Sequence, residues 1–184
     1  MHFDVSTTNP LETLHADLIL RRDTARIGSL TFRTSVPIPT CFTCGWTFAS
    51  LEELKLVSLE WVRDMRMRMA APRLRSLHCT GVFPSVPVGD LQSLEELTLC
   101  EYNVIRIAKL ALVVSRWPAI RRLTLCRWTV EVEEAGYQVP VRHMPELNYL
   151  KLEKMGLDAV RGTLAMINAP TLETLLIEEV EDPL

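Results

Sequence analysis

The residues best able to do chemistry in this chain are five cysteines and four histidines. Cys41-Phe-Thr-Cys44 is the only CxxC. A structural zinc site takes four ligands, commonly two such pairs, and neither a second pair nor an H-x3-5-H follows. The nearest other donors are His78 and Cys79, and Cys79 belongs to an apolar slot that faces the core. A thioredoxin-like thiol pair needs CxxC at a helix N-terminus after a strand; here it follows Val36-Pro-Ile-Pro and reads as two loop thiols. Cys100 and Cys126 fall in equivalent outward slots of two successive predicted strands, about 4.8 Å apart, a separation that a disulfide can span. An odd, scattered set in a chain large enough to bury a core predicts reduced thiols. His15 and His78 fall in one predicted column two strands apart, with no Ser and Asp placed to complete a nucleophilic triad. The seven glycines form neither GxGxxG nor GxxxxGK[ST], so no phosphate cradle is encoded. The expectation is a chain without catalytic residues, cofactor or metal, and not an enzyme.

What must position these side chains is a repeated phrase. It reads Ile27-Gly-Ser-Leu30-Thr-Phe32, Leu51-Glu-Glu-Leu54-Lys-Leu56, Leu74-Arg-Ser-Leu77-His-Cys79 and Leu94-Glu-Glu-Leu97-Thr-Leu99. It continues with Ile120-Arg-Arg-Leu123-Thr-Leu125, Leu147-Asn-Tyr-Leu150-Lys-Leu152 and Leu172-Glu-Thr-Leu175-Leu-Ile177. The seven copies of LxxLxL start 20 to 27 residues apart, inside the window of leucine-rich repeats. An eighth copy, Leu11-Glu-Thr-Leu14-His-Ala16, lies 16 residues before Ile27 and reads as a degenerate cap or tight first turn. The predicted organisation is an N-terminal cap or degenerate repeat over 1–26 and about seven repeats over 27–184, in one domain of 1–184.

The end of each phrase alternates with period two, the pattern of a strand with one buried face. Connections between copies are long enough for a crossover helix, which makes successive strands parallel. A doubly covered parallel sheet would have near-continuous apolar strands, whereas Lys55, His78, Thr98, Thr124 and Lys151 fill the outward slots here. One face is therefore expected to be wet. Between strands, residues 105–117 place Ile107, Leu110, Ala111 and Val114 on one helical face, and residues 158–168 do so with Val160, Leu164 and Ile167. Asp158 suits an N-cap or first-turn acid. Residues 63–69, Arg-Asp-Met-Arg-Met-Arg-Met, read as a further convex helix with Leu59, Val62, Met65 and Met69 inward, rather than as a basic contact for RNA or calmodulin-like partners. Pro72, Pro118, Pro145 and Pro170 each stand two residues before a copy, where proline ends the preceding segment and favours extended backbone.

On these residues the chain resembles a leucine-rich repeat protein, and its irregular repeat lengths and P-x-L starts resemble the repeat tails of fungal F-box proteins. The resemblance implies an α/β leucine-rich repeat solenoid: one curved parallel sheet with helices or irregular turns on its convex side. It departs from the LxxLxLxxN/CxL pattern, because Leu59, Val82, Tyr102, Trp128, Met155 and Val180 replace the polar turn residue. Nothing in Met1 to Arg26 resembles the LP-x-E-(I/L) start of an F-box. The implied role is protein binding on the concave face, in the manner of a ubiquitin-ligase substrate receptor.

The central column of that face is expected to be His15, Thr31, Lys55, His78, Thr98, Thr124, Lys151 and Leu176. Glu53, Ser76, Glu96, Arg122, Tyr149 and Thr174 flank it. The candidate partner-binding residues are Lys55, His78, Thr98, Arg122, Thr124, Tyr149 and Lys151, with Arg122, Tyr149 and Lys151 as anchors, since Tyr and Arg concentrate at interface hot spots. A second expectation is self-association through the last copy, whose Leu172, Leu175 and Ile177 have no following repeat to cover them.

Composition bounds the rest. The 184 residues carry 20 Lys and Arg against 23 Asp and Glu, with 48% hydrophobic residues. That balance gives little basis for binding a phosphate backbone, so no nucleic-acid partner is expected. Acidic stretches at Glu131, Glu133 and Glu134 and over 178–182 read as solvated faces. No cationic segment followed by an apolar run opens the sequence, and residues 105–117 are too short and too charged to cross a membrane. A cytoplasmic or nuclear location follows as an expectation.

Overall fold

In extended backbone, Leu-x-Leu sets both leucines on one side and the intervening residue on the other, so stacking the triplet in register makes one apolar and one polar sheet face. In a computed structural model of the protein, residues 1–36, 45–66, 69–85, 91–105, 107–114, 117–130 and 141–180 are described. The fold is α/β with parallel strands, in two compact units, Met1–Leu94 and Glu95–Leu184.

The first unit contains β1 (His2–Thr7), α1 (Pro10–Asp23), β2 (Ser29–Thr34), β3 (Glu53–Arg66) and β4 (Ser76–Ser85), with the strands parallel in the order β1-β2-β3-β4. The second contains β5 (Glu96–Ile105), α2 (Ile107–Val114), β6 (Arg122–Val130), β7 (Arg142–His143), β8 (Tyr149–Glu153), α3 (Leu157–Met166), β9 (Ile167–Asn168) and β10 (Thr174–Glu178). Its strands run parallel in the order β5-β6-β8-β10, and β7 pairs with β9 in a small sheet of their own.

The leucine side is the core of each unit. Leu30, Leu54, Leu56 and Leu77 in the first, and Leu97, Leu99, Leu123, Leu125, Leu150 and Leu152 in the second, are at most 2% exposed. Burying a leucine fully stabilises by about 1.5 to 3 kcal/mol before chain entropy is set against it. Ala16 and Leu20 of α1, and Leu110, Ala111, Val114, Ala159 and Val160 of α2 and α3, are buried with them. The expected helical face of α2 is thus the observed one.

Six of the seven copies begin in a hydrogen-bonded turn. The N–H groups of Leu51, Leu74, Leu94, Ile120, Leu147 and Leu172 donate to the carbonyls of Phe48, Ala71, Leu91, Trp117, Met144 and Ala169, three residues earlier. Pro72, Pro118, Pro145 and Pro170 occupy the second position of four of these turns, where a φ fixed near −65° is preorganised. From there two successive N–H groups share one carbonyl of the preceding strand start. Arg75 and Ser76 bond Glu52, Arg121 and Arg122 bond Glu95, Asn148 and Tyr149 bond Arg121, and Glu173 and Thr174 bond Asn148.

Two residues past the last apolar strand position the backbone turns left-handed. Gly81, Glu101, Arg127, Lys154 and Glu179 all have φ between 50° and 66°. A left-handed residue within a strand shifts the alternation beyond it by one, and because Glu101 and Arg127 both take this conformation the register from Cys100–Cys126 to Tyr102–Trp128 is unbroken. Val82, Trp128 and Met155, which would otherwise face outward, consequently point into the core and are at most 2% exposed. Trp128 Nε1 donates to the Leu99 carbonyl at 3.0 Å. Val82, Trp128 and Met155 therefore fill the core beyond the left-handed residue, while Val180 is 42% exposed. In the first unit the corresponding register row is a buried hydroxyl row of Thr7, Thr34 and Ser58, with Thr7 Oγ1 donating to Thr34 Oγ1 at 3.1 Å.

Three sequence expectations are corrected. Leu11–Ala16, with His15 expected in the outward strand column, is not a tight turn but lies on α1, with Leu11 and Leu14 exposed. Asn9 caps the helix by accepting from the Glu12 N–H at 3.0 Å, Pro10 opens it, and the Glu12 carboxylate accepts from the Thr8 N–H at 2.6 Å. This start signal outweighs the leucine spacing. The strand that precedes it is β1, whose Phe3 and Val5 stand in register with Leu30 and Phe32. Residues 59–66, expected as convex helix, continue β3 instead and pair with β4 through two register shifts. Val57, Leu59, Trp61 and Met65 also fit a period of two, and a neighbouring strand offers the ladder that a short helix would lack. In α3 the buried face is Ala159, Val160, Thr163 and Met166, while Leu164 is exposed and Ile167 begins β9. Gly162 lies close against α2, where a Cβ would come within 2.5 Å of Ile107 Cδ1.

Candidate functional site

Register fixes which outward side chains are neighbours. In the second unit the first row runs Glu96, Arg122, Tyr149, Thr174, and the second Thr98, Thr124, Lys151, Leu176. The third runs Cys100, Cys126, Glu153, Glu178. Five of the seven candidates, Thr98, Arg122, Thr124, Tyr149 and Lys151, thus share one face. Lys55 and His78 are register partners in the first unit, beside Thr31, which is buried, and Asp4. His15 is not in this column because it lies on α1; Asp4 of β1 takes the position instead.

The anchor residues are bound to their neighbours. The Arg122 guanidinium carbon sits 4.7 Å from the centroid of the Tyr149 ring, within the range of cation–π attraction. Arg122 Nε also stands 3.9 Å from a Glu96 carboxylate oxygen. Lys151 Nζ lies 2.8 Å from Glu153 and 3.0 Å from Glu178. Hydrogen bonds to those carboxylates raise its pKa above the ordinary lysine value, and the Lys151 ammonium in turn holds Glu153 below the usual carboxylate range. The left-handed residues form a second charge row, with Arg127 2.8 Å from Glu101 and Lys154 3.3 Å from Glu179.

On the first unit His78 Nε2 lies 3.0 Å from Thr80 Oγ1. Burial first, and the Lys55 ammonium second, push its pKa down, so the imidazole is held neutral. The Arg33 side chain donates to Asp4, lowering that carboxyl and raising its own pKa.

Cys100 and Cys126 are directly opposite one another in the β5–β6 register, and neither is in a disulfide. Cys79 is buried in the core, as its slot implied. The CxxC at Cys41 and Cys44 and the acidic run at Glu131, Glu133 and Glu134 lie outside the described residues. Among the described residues no group of three or more His, Cys, Asp or Glu is placed to hold a metal ion, and no helix is long and apolar enough to cross a membrane.

Sequence reasoning placed Arg122, Tyr149 and Lys151 in outward slots and overlooked what binds them. The signal was present, since Glu153 and Glu178 share one slot in successive copies and Arg122 and Tyr149 share another. The left-handed charge row carried no such mark, because none of Glu101, Arg127, Lys154 and Glu179 is a glycine.

Set against protein-family models, curated proteins and solved structures, the chain matches none of them.

Proposed function

We propose that the chain is a leucine-rich repeat-type solenoid serving as a protein-interaction module, with its binding surface on the outward face of β5, β6, β8 and β10. One observation carries this reading. An aromatic ring and a guanidinium, Tyr149 and Arg122, are stacked in place on a polar sheet face beside two half-buried threonines, Thr98 and Thr124. Side chains already fixed by their neighbours lose little freedom when a partner arrives, and Tyr and Arg are the residue types that most often anchor interfaces. Lys151, balanced by two carboxylates, supplies a polar rim with donors and acceptors rather than a field of one sign. The resemblance to F-box repeat tails makes a protein destined for ubiquitination the first class of partner to test.

The test compares proteins captured by the wild type with those captured by the Tyr149→Ala, Lys151→Ala double variant, with circular dichroism to verify folding. A partner retained by the wild type, and bound at least about tenfold more weakly by the folded variant in purified form, supports the reading. Equal affinity for every partner recovered overturns it.

A second reading, self-association through β10, is favoured by the exposure there of Leu175 (44%), Leu176 (37%) and Ile177 (42%). Apolar side chains on both faces of a strand at the sheet's edge suit pairing with a second copy. Sedimentation at micromolar concentration decides it. A concentration-dependent dimer that Ile177→Lys abolishes supports the idea, and a monomer at all concentrations removes it.

A further inference from the structure

We propose that Cys100 and Cys126 form a thiol–disulfide exchange site, closed into a reversible disulfide between β5 and β6 by a low-molecular-weight disulfide such as oxidised glutathione. The β5–β6 ladder brings the two thiols together. The two residues are opposite one another in an unbroken part of the ladder, from Glu96–Arg122 through Cys100–Cys126. Adjacent strands hold opposed Cα atoms about 4.8 Å apart, inside the range that a disulfide accepts. Both side chains are half-buried on the outward face, and each thiol perturbs the ionisation of the other.

The pair is asymmetric, and the asymmetry assigns the roles. Burial pushes the Cys100 thiol up to about 12, with the neighbouring Cys126 sulfur adding to it. The Cys126 thiol is also raised, by burial and then by Glu153, but the hydrogen bond from Cys100 and the charges of Arg127 and Lys154 pull it back. Cys126 is followed along its strand by the cation Arg127 and Cys100 by the anion Glu101, and this placement assigns Cys126 as the first thiol to ionise. Its thiolate attacks one sulfur of the small disulfide RSSR, forming a Cys126–SR mixed disulfide and releasing one RS⁻. That step removes the negative charge beside Cys100. Cys100 then loses its proton to solvent, and its thiolate attacks Cys126 Sγ. The protein S–S bond forms as the second RS⁻ leaves. Two protein thiols are oxidised, one RSSR is reduced to two RSH after protonation, and the reverse sequence with excess RSH reopens the bond.

The experiment incubates the full chain with oxidised glutathione at mildly alkaline pH and maps the products by mass spectrometry without reduction. Trypsin together with a Glu-specific protease separates Cys79 from Cys100. The expected product is a linked pair of peptides containing Cys100 and Cys126, lost on addition of reduced glutathione. Cys100→Ser should stop at one glutathione on Cys126, while in Cys126→Ser the adduct on Cys100 should form at least about tenfold more slowly. A wild type that keeps both thiols free overturns the proposal. So does one that accumulates the Cys126 adduct without closing the ring, and equal adduct rates in the two variants overturn the assigned order of attack.

Discussion

A Cβ placed on Gly81 would lie 2.3 Å from the carbonyl oxygen of Ser58, and Gly81 has a φ of 66°. The backbone of β3 thus passes too close for any side chain at this bulge, in a conformation that costs an L-residue about 1 to 2 kcal/mol in any case. Gly81→Ala is expected to lose at least about 2 kcal/mol of stability, measured by urea unfolding. Arg127 takes the same left-handed conformation in β6, with φ 55° and an exposed ion pair to Glu101. Arg127→Gly relieves the left-handed cost and gives up a surface pair worth about 0 to 1 kcal/mol, so it should stay within about 1 kcal/mol of wild type. Equal losses at the two sites would contradict the account of the bulge.

Leu97 and Thr98 test the alternation directly. Leu97 is 1% exposed on the core side, and Thr98 is half-buried on the outward side. Leu97→Ala should cost about 2 to 5 kcal/mol through lost burial and a residual cavity. Thr98→Ala should change stability by no more than about 0.5 kcal/mol. Thermal or urea melts of the two variants check the difference.

These leucines are also where the sequence was most informative. A period of two over Leu97 to Leu99 and its counterparts sets the strand faces, the parallel register and the outward slots, because burying one face leaves no freedom to slip by a residue. Legibility ended where two signals competed. Leu11 and Leu14 match the repeat phrase, yet Asn9, Pro10 and Glu12 make a helix start, and the true first strand uses Phe3 and Val5. Leu59, Val62 and Met65 fit a helical spacing, and the pairing with β4 that decides the matter is not local. Arg127 and Glu101 reveal nothing of their left-handed backbone by residue type. Within the candidate site, slots were readable from one strand at a time, whereas the Arg122–Tyr149 stack and the Lys151 carboxylate pair depend on the spacing between strands.

The Arg122–Tyr149 stack should be measurable as a coupling. In a double-mutant cycle with Arg122→Ala and Tyr149→Ala, the interaction energy is expected at about 0.5 to 1 kcal/mol, the value for a cation over an aromatic face at a partly exposed site. Strictly additive unfolding energies would show that the ring and guanidinium are neighbours without mutual stabilisation.

His78 makes a pH prediction with a defined sign. Its folded pKa lies below the ordinary value, so the unfolded chain takes up this proton first. Stability is therefore undiminished above about pH 6.5 and declines as the pH falls through that value toward the folded pKa. His78→Gln should flatten urea midpoints between about pH 7.5 and 5.5. The carboxylates held low by Arg33, Thr8 and Lys151, namely Asp4, Glu12 and Glu153, contribute in a separate window. Their stabilisation is lost only as the pH falls below the ordinary carboxylate range. An unchanged slope in His78→Gln would reject the assignment.

The shared carbonyls at the strand starts govern how each unit comes apart. Releasing β10 breaks the bonds to one neighbour, including those of Glu173 and Thr174 to Asn148, whereas releasing β8 breaks bonds to both β6 and β10. Fraying consequently begins at the rim and travels inward one strand at a time, and amide protons of Leu150 and Leu152 should outlast those of Leu175 and Ile177 in deuterated solvent.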